Sequence, residues 1–531
     1  MKRLPIGIQN INEIITGGYV YADKTEHIYN LISKAKYYFL SRPRRFGKSL
    51  LLDTISEVFK GAKELFKGLW IYDSGYDFEI HPVIRLDMSN IANGTPEILK
   101  NSLILELNRQ ARKESVDLEG GDPSDLLKQT IEALHAKYNQ KIVVLIDEYD
   151  KPILDHLFEI ETAEDNRQVL RSFYGVLKSM DPYLRFTFLT GVSKFAKTSV
   201  FSELNNLIDI TLAEDYVNIC GFAVEELGKH FSEHIEELKK LKRFQEFESI
   251  HDEILKWYDG YSWDGENKVI NPFSLLTFFF QKRFGAYWYA SGSPKFLIDL
   301  IKKDPGGYTD LKNMEMTEYM LDAADFSKLE ATPLLFQTGY LTIKDIVYEG
   351  APVYTLKIPN NEVREAFNKN IIAAFTDSGH TGAESAKMGL SKAFKNGDLQ
   401  QVLDTLRGLF ASIPSNLHIG NEAYYHSIFY AMMDVLGFDM EVEVSVSKGR
   451  VDAVIEFGDK AYVMEFKYKR CPPDASPEEK QKLFETALTD GMNQIKDRGY
   501  HKKYIGSGKT VYQVAFAFLG RDDIEMRIIT E

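Results

Sequence analysis

The sequence predicts an α/β chain in three parts: a mostly parallel sheet covered by helices, a helical middle region, and a smaller α/β unit at the end. Three observations carry this. Short apolar runs alternate with helix-length segments over the first two hundred residues. After about residue 220 the texture becomes charged and helical in period. Beyond residue 440, after a long helical stretch, alternating strands return. The implied segments are 1–219, 220–415 and 416–531.

The first segment supplies five strand-like runs: KYYFLS (36–41), HPVIRLDM (81–88), KIVVLIDE (141–148), LRFTFLTG (184–191) and LIDITL (207–212). Helical candidates fall between them at 48–59, 95–113, 123–137 and 164–178. Strands interleaved with helices of that length form parallel sheets with both faces covered. In the middle segment, LLFQTGYLTIKD followed by VYTLKIPNNEVREAFNKNIIAAF reads as helix, two-stranded wing and helix. This makes the region helical and winged-helix-like, a lid or spacer. In the third segment a helix, NEAYYHSIFYAMMDVLG, precedes the strands.

Composition narrows the class. The charged content of 27% and apolar content of 44% fit a soluble globular chain. A net charge of −14 argues against bulk nonspecific nucleic-acid binding but leaves room for a local basic groove. Cys220 and Cys471 have no metal-ligand spacing and suggest no disulfide framework. The start, MKRLPIGIQNINEII, lacks the apolar core and cleavage site of a signal peptide. NPFSLLTFFF (271–280) is too short to cross a bilayer. A cytoplasmic protein with no membrane partner is expected.

The stretch YYFLSRPRRFGKSLLLDTI (37–55) begins as a strand and ends as a helix, with Gly47-Lys48-Ser49 between. That is the tail of a phosphate-binding loop, G-x-x-x-x-G-K-[ST]. In such a loop backbone N–H groups, a lysine and a hydroxyl meet phosphate and Mg²⁺. Arg42 stands where the first glycine belongs and would be strained in left-handed geometry. Pro43 stiffens another route, and Arg44 and Arg45 add charge around the phosphates or hold an acidic neighbour. A chance GKS at a helix start is the competing reading. The second motif shifts the balance: KIVVLIDEYD emits Asp147, which can hold Mg²⁺, and Glu148, which can orient the attacking water. ATP with Mg²⁺ is therefore the expected cofactor pair.

These segments resemble the AAA-ATPase-like family of bacterial and archaeal proteins. The resemblance covers residues 1 to roughly 215 through LPIGIQNINEII, YVYADKT, YYFLSRPRRFGKSLLL and LIDEYDKP, and continues through YDGYSWDG and VINPFSLL at 258–276. It makes R-P-R-R-F-G-K-S the family's own form of the loop and implies P-loop NTPase-like architecture. Weaker candidates are Asp23, Lys24 and Thr25, as base-side contacts or a helix cap, and Thr190 or Ser193 as a phosphate sensor. Asp150-Lys151-Pro152 would shape a turn. Arg167 and Arg171 would make surface ion pairs or a trans-acting arginine.

The other informative passage is VSVSKGRVDAVIEFGDKAYVMEFKYKRC. Val442, Val444 and Val446 alternate as in a half-buried strand. Gly449-Arg450 reads as a turn, Asp452 opens the next strand, and Gly458-Asp459-Lys460 turns again. Glu465 and Lys467, two apart, share one side of a strand that Asp452 adjoins. Two carboxylates can hold Mg²⁺ or Mn²⁺, and an ammonium can position hydroxide. Glu422 is the further candidate metal ligand, with His426 on its helical face; Glu441 and Glu443 are less favoured alternatives.

This constellation resembles the PD-(D/E)XK nuclease superfamily, whose domains have a restriction-endonuclease-like α/β fold. The resemblance assigns the central aspartate to Asp452 and the E-x-K pair to Glu465 and Lys467. Gln494 matches the helix glutamine-isoleucine motif, with Tyr500 downstream; Val451 replaces the usual proline. Lys467, Lys469, Arg470, Lys496, Arg498, Lys502 and Lys503, interleaved with Tyr468, Tyr500 and Tyr504, would form a rim for a phosphate backbone or a solvated edge. The leading expectation is an ATP-binding, ATP-hydrolysing protein with a metal-dependent nuclease domain acting on DNA or RNA. The alternative is a regulatory ATPase switch whose last domain binds nucleic acid or protein without cutting; a signalling switch with a protein partner is a third class. A homo-oligomer fits any of them. The middle region is expected to transmit nucleotide state to the last.

Overall fold

A computed structural model describes residues 1–194, 204, 206–290, 314–322, 331–367, 379–411, 425, 429, 440–446, 449–472, 474–504, 508–519 and 523–530. The chain forms two compact units, one of residues 1–292 with 312–362 and one of 293–311 with 363–531.

The first unit is built on strands β1 (Tyr37–Ser41), β2 (Val83–Asp87), β3 (Ile142–Asp147), β4 (Leu184–Gly191) and β5 (Ile208–Asp209). They lie in the order β2-β3-β4-β1-β5, and every pairing is parallel. β1 and β3 are wholly buried, which is why both read as continuous apolar runs instead of alternating ones. The helices Pro96–Lys113, Pro123–Tyr138 and Ile160–Ser179 seal the sheet through Leu103, Leu107, Ile131, Leu170 and Phe173. Thr95 and Asp122 cap the first two through their side chains, and a proline opens each. The chain runs from β1 outward to β2 and from β4 across to β5, so the sheet changes direction beside β1. Ligands bind at the carboxyl ends of such strands.

Residues 222–290 add to this unit a second core and a short antiparallel pair, β6 (Phe222–Ala223) and β7 (Val269–Ile270). The helices Val224–Lys239, Ile250–Tyr258 and Pro272–Gln281 pack Phe231, Tyr258, Phe278 and Phe279 together. The apolar run at 271–280 is thus an interior helix, and among the described residues no helix is long and apolar enough to cross a membrane. β8 (Met314–Thr317), β9 (Thr342–Glu349) and β10 (Ala351–Lys357) form an antiparallel sheet in the order β8-β10-β9. The middle region is otherwise mainly helical. The sequence's helix–hairpin–helix order is seen at Ala331–Thr338, β9–β10 and 361–367, with β8 as a strand the sequence reading did not include.

The second unit holds a mixed five-stranded sheet of β11 (Met440–Val446), β12 (Gly449–Phe457), β13 (Lys460–Lys469), β14 (Thr510–Leu519) and β15 (Asp523–Thr530) in chain order. Only β13 and β14 run parallel, joined by the helix Pro477–Arg498. That helix covers one face through Phe484, Leu488 and Ile495, packed on Val463 and Ala515. Phe466, Phe516 and Phe518 line the other face, against Phe429 and Tyr425. One expected turn is displaced. Gly449 and Arg450 already belong to β12, paired with Val446 and Ser445, so the hairpin closes before Gly449.

Candidate functional site

β1 ends at Ser41, and the next six residues form a tight loop that runs into the helix Lys48–Phe59. Left-handed backbone does occur in it, but at Arg45 (φ 69°) and Gly47 (φ 93°), not at Arg42. Gly47 meets that demand without a Cβ, and a Cβ there would touch nothing within 4 Å, leaving a bare backbone cradle. Arg42 serves a different purpose. It is fully buried, its guanidinium donating to the carbonyls of Ser41, Thr211 and Tyr216 at 2.9–3.2 Å. Burial pulls its pKa down to about 10, so it stays charged at neutral pH.

Lys48 is buried and donates to the carbonyls of Arg42 (2.9 Å) and Pro43 (3.0 Å). Burial lowers its pKa, opposed by the nearby charges of Glu148, Asp147 and Asp150. Glu148, at φ 50°, is held above the ordinary carboxylate range by burial, with Lys48 pulling the other way. Asp147 sits at the end of β3, where its Oδ1 accepts from the Thr190 hydroxyl at 2.6 Å. Asp150 is buried and accepts from the Ser193 N–H (2.6 Å) and hydroxyl (2.7 Å). Thr190 and Ser193 are therefore each engaged with an acid of the β3 end.

A cavity of about 390 Å³ opens over this loop. Arg44, Arg45, Gly47, Lys48, Ser49, Glu148 and Lys151 are among its polar lining, and Ile8, Val20, Ala22, Ile28, Phe222 and Leu276 among its apolar lining. Arg44 and Arg45 are exposed, and Arg45 lies over the Phe273 ring at 4.9 Å. Lys24 lines the cavity and pairs with Glu226 at 2.8 Å. Asp23 acts within the fold, accepting from the backbone of Thr25 and Trp70. Arg167 donates to Glu164 on its own helix. Sequence reasoning missed Asp53 and Arg85, which pair at 2.5 Å. Asp53 also accepts from the Ile11 N–H, and Arg85 donates to the Ser49 carbonyl. No local motif announces a pair 32 residues apart.

In the second unit, β13 turns Ala461, Val463, Glu465 and Lys467 toward the Pro477–Arg498 helix, the period-2 face the sequence implies. The register sets Ala515 and Ala517 of β14 beside Glu465 and Lys467, and small side chains there leave room around the charged ones. The Asp452 Oδ2 accepts from the Phe466 N–H at 2.9 Å, which brings β12's acid to the same place. Lys467 Nζ donates to Glu465 Oε1 at 3.1 Å. Glu465 is fully buried, and among the described residues its Oε2 has no hydrogen-bond partner. Burial, then the Asp452 charge, pushes its carboxyl well above the usual range, while Lys467 and Arg498 oppose this.

Among the described residues no group of three or more His, Cys, Asp or Glu side chains is arranged to hold a metal ion. Glu422 and His426 lie outside the described residues, as do the side chains of Glu441, Glu443 and Tyr500. Gln494 is half-buried on the covering helix. Of the expected basic rim, Lys469 pairs with Asp490 at 3.1 Å, and Lys496, Lys502 and Lys503 are exposed. Two of the tyrosines are less available than the sequence suggests. Tyr504 is buried, and Tyr468 stacks on Tyr425 at 5.5 Å.

The first unit is thus a P-loop-like parallel α/β fold, and the second an α/β fold of the PD-(D/E)XK kind. Comparison with known proteins agrees at both ends. A family model described as predicted AAA-ATPase matches residues 5–201, and the PD-(D/E)XK nuclease superfamily model matches residues 420–527. An uncharacterized protein in the vnfD 5′ region of Azotobacter chroococcum mcd 1 is 35% identical over 526 residues, spanning 97% of this chain and 96% of that one. The chain belongs to the AAA-ATPase-like family, in the form that carries a C-terminal PD-(D/E)XK nuclease superfamily domain.

Proposed function

We propose that the chain binds and hydrolyses ATP at the 37–55 loop and cleaves nucleic acid at the Asp452–Glu465–Lys467 site. The observation that carries the nucleotide half is the buried Lys48 ammonium, which among the described residues has no acidic partner within hydrogen-bond distance and rests on two carbonyls of its own loop in the wall of the 390 Å³ cavity. A polyphosphate offers that ammonium a stronger acceptor than neutral carbonyls do. Gly47, Arg44 and Arg45 would cradle the phosphates, and Ser49 and Asp147 would hold Mg²⁺. Glu148 would orient the attacking water, and the apolar residues of the lining suit a base.

At the second site the orphaned Oε2 of Glu465 fits a cation-binding role, since a buried carboxylate oxygen without a donor calls for a positive partner. Asp452 and Glu465 would be the ligands, with Glu422 as a further one, for Mg²⁺ or Mn²⁺. A bound divalent cation polarises the phosphodiester and lowers the pKa of water. Lys467 would place the attacking oxygen or offset developing charge on the phosphate. A second reading, binding without cleavage, is favoured by one observation: Asp452 and Glu465 each already accept a hydrogen bond from within the sheet.

We further read three functional segments, 1–219, 220–415 and 416–531, with a winged-helix-like element at 331–367 and a cytoplasmic setting. The test is cleavage of single-stranded and duplex DNA and RNA by the wild type and Asp452→Ala, with Mg²⁺ or Mn²⁺ and with or without ATP. Metal-dependent cleavage that disappears in Asp452→Ala is expected. No cleavage in any condition, with no metal binding, would leave the regulatory ATPase switch as the reading.

A further inference from the structure

We infer that Trp263 is a positioning residue for the phosphate loop, acting through Arg42. This rests on the nucleotide reading above and goes beyond it, because Trp263 lies in the second core's connecting segment and does not line the cavity. Its indole lies against the Arg42 guanidinium at 3.9 Å and takes the edge of Phe46 at 5.6 Å. Tyr261, two residues earlier, packs edge-on against the same Phe46 ring at 4.8 Å. From the short helix Tyr287–Ala290, Trp288 Nε1 donates to the Arg44 carbonyl at 3.2 Å. Three of the loop's five residues between Ser41 and Gly47 are thus gripped by aromatic side chains from beyond residue 260.

The grip matters because of what Arg42 does with its backbone. A fully buried guanidinium needs partners on its edge and on its faces. Three carbonyls take the edge, leaving Nε without a hydrogen bond among the described residues, and Trp263 lies on a face. The carbonyl of the same residue accepts from Lys48. Trp263 therefore sits two contacts from the ammonium that reads phosphate. The loop also holds a non-glycine residue, Arg45, in left-handed backbone, a conformation that persists only where its surroundings enforce it. Without the indole, Arg42 would seek water, its carbonyl would shift, and the phosphate cradle would lose its shape before any phosphate arrived.

The experiment titrates the full chain with a fluorescent ATP analogue in Mg²⁺ and follows phosphate release. Trp263→Ala should weaken nucleotide binding about tenfold, with kcat at saturating ATP changed much less. Trp263→Phe should restore part of the affinity, and it keeps the test valid should the alanine variant unfold. Arg42→Met should weaken binding similarly, and the double variant should be no worse than either single one, because both remove the same contact. Trp257→Ala, which removes a ring stacked on Phe284 in the second core, should leave affinity unchanged. Wild-type affinity in both Trp263 variants, or equal losses in Trp263→Ala and Trp257→Ala, would overturn the inference. A wild type that binds no nucleotide would instead overturn the reading on which it rests.

Discussion

Lys48 Nζ lies 2.9 Å from the carbonyl oxygen of Arg42, so the lysine that would meet phosphate is held by the first residue of its own loop. The ammonium is pre-positioned, and nucleotide has to replace two neutral acceptors, not an ion pair. Lys48→Arg should therefore fail to substitute, since a planar fork cannot occupy the site of a compact ammonium. ATP affinity measured by equilibrium binding should fall in this variant nearly as far as in Lys48→Ala.

Glu148 lines the cavity with its charge opposed by burial. Glu148→Gln keeps the shape but cannot accept a proton or order water in the same way. ATP binding should be retained and turnover should drop by about a hundredfold or more, read as steady-state phosphate release alongside the binding curve.

At the second site the roles should separate. Glu465→Gln removes the charge whose Oε2 is left without a partner and should lose Mn²⁺ binding and cleavage together. Lys467→Ala should keep more of the Mn²⁺ binding while losing cleavage by about a hundredfold or more. Calorimetry with Mn²⁺ and a nuclease assay on the same folded proteins distinguish the two.

Much of this was legible in the sequence, for physical reasons that differ by element. The strands β1 and β3 announced themselves because burial on both faces makes each a short apolar run. Glu465 and Lys467 were paired by the period of a strand alone. Arg42 was misread as a strained glycine substitute because its partners, Thr211, Tyr216 and Trp263, lie about 170 to 220 residues away. Gly449 looked like a turn because glycine usually punctuates, yet the register places it within a strand. The Asp53–Arg85 pair left no local trace at all.

Gly491 offers a check on the packing that shapes the second site. A Cβ there would lie 3.0 Å from Ala515 Cβ and 3.6 Å from Lys467 Cγ. In an open helix a larger residue in place of glycine is usually stabilising, but here overpacking wins. Gly491→Val should lower stability by about 1–3 kcal/mol, measured by chemical denaturation.

Burial sets the pH behaviour of His234, which lies between Phe231 and Phe279 in the second core, with exposed Glu233 and the N-terminal amine nearby. Desolvation lowers its pKa, so the folded form resists the proton that the unfolded chain accepts. The stabilisation is present above the unfolded value of about 6.5 and is lost as pH falls. His234→Phe should flatten the decline in thermal midpoint between about pH 7 and 5, whereas an unchanged slope would assign it to other groups.

The most direct test of the account is calorimetry of ATP with Mg²⁺ on the folded wild type and Lys48→Ala. The account predicts saturable binding near one nucleotide per chain in the wild type and its loss in the variant. Absence of binding in the wild type, or equal binding in both proteins, would contradict it.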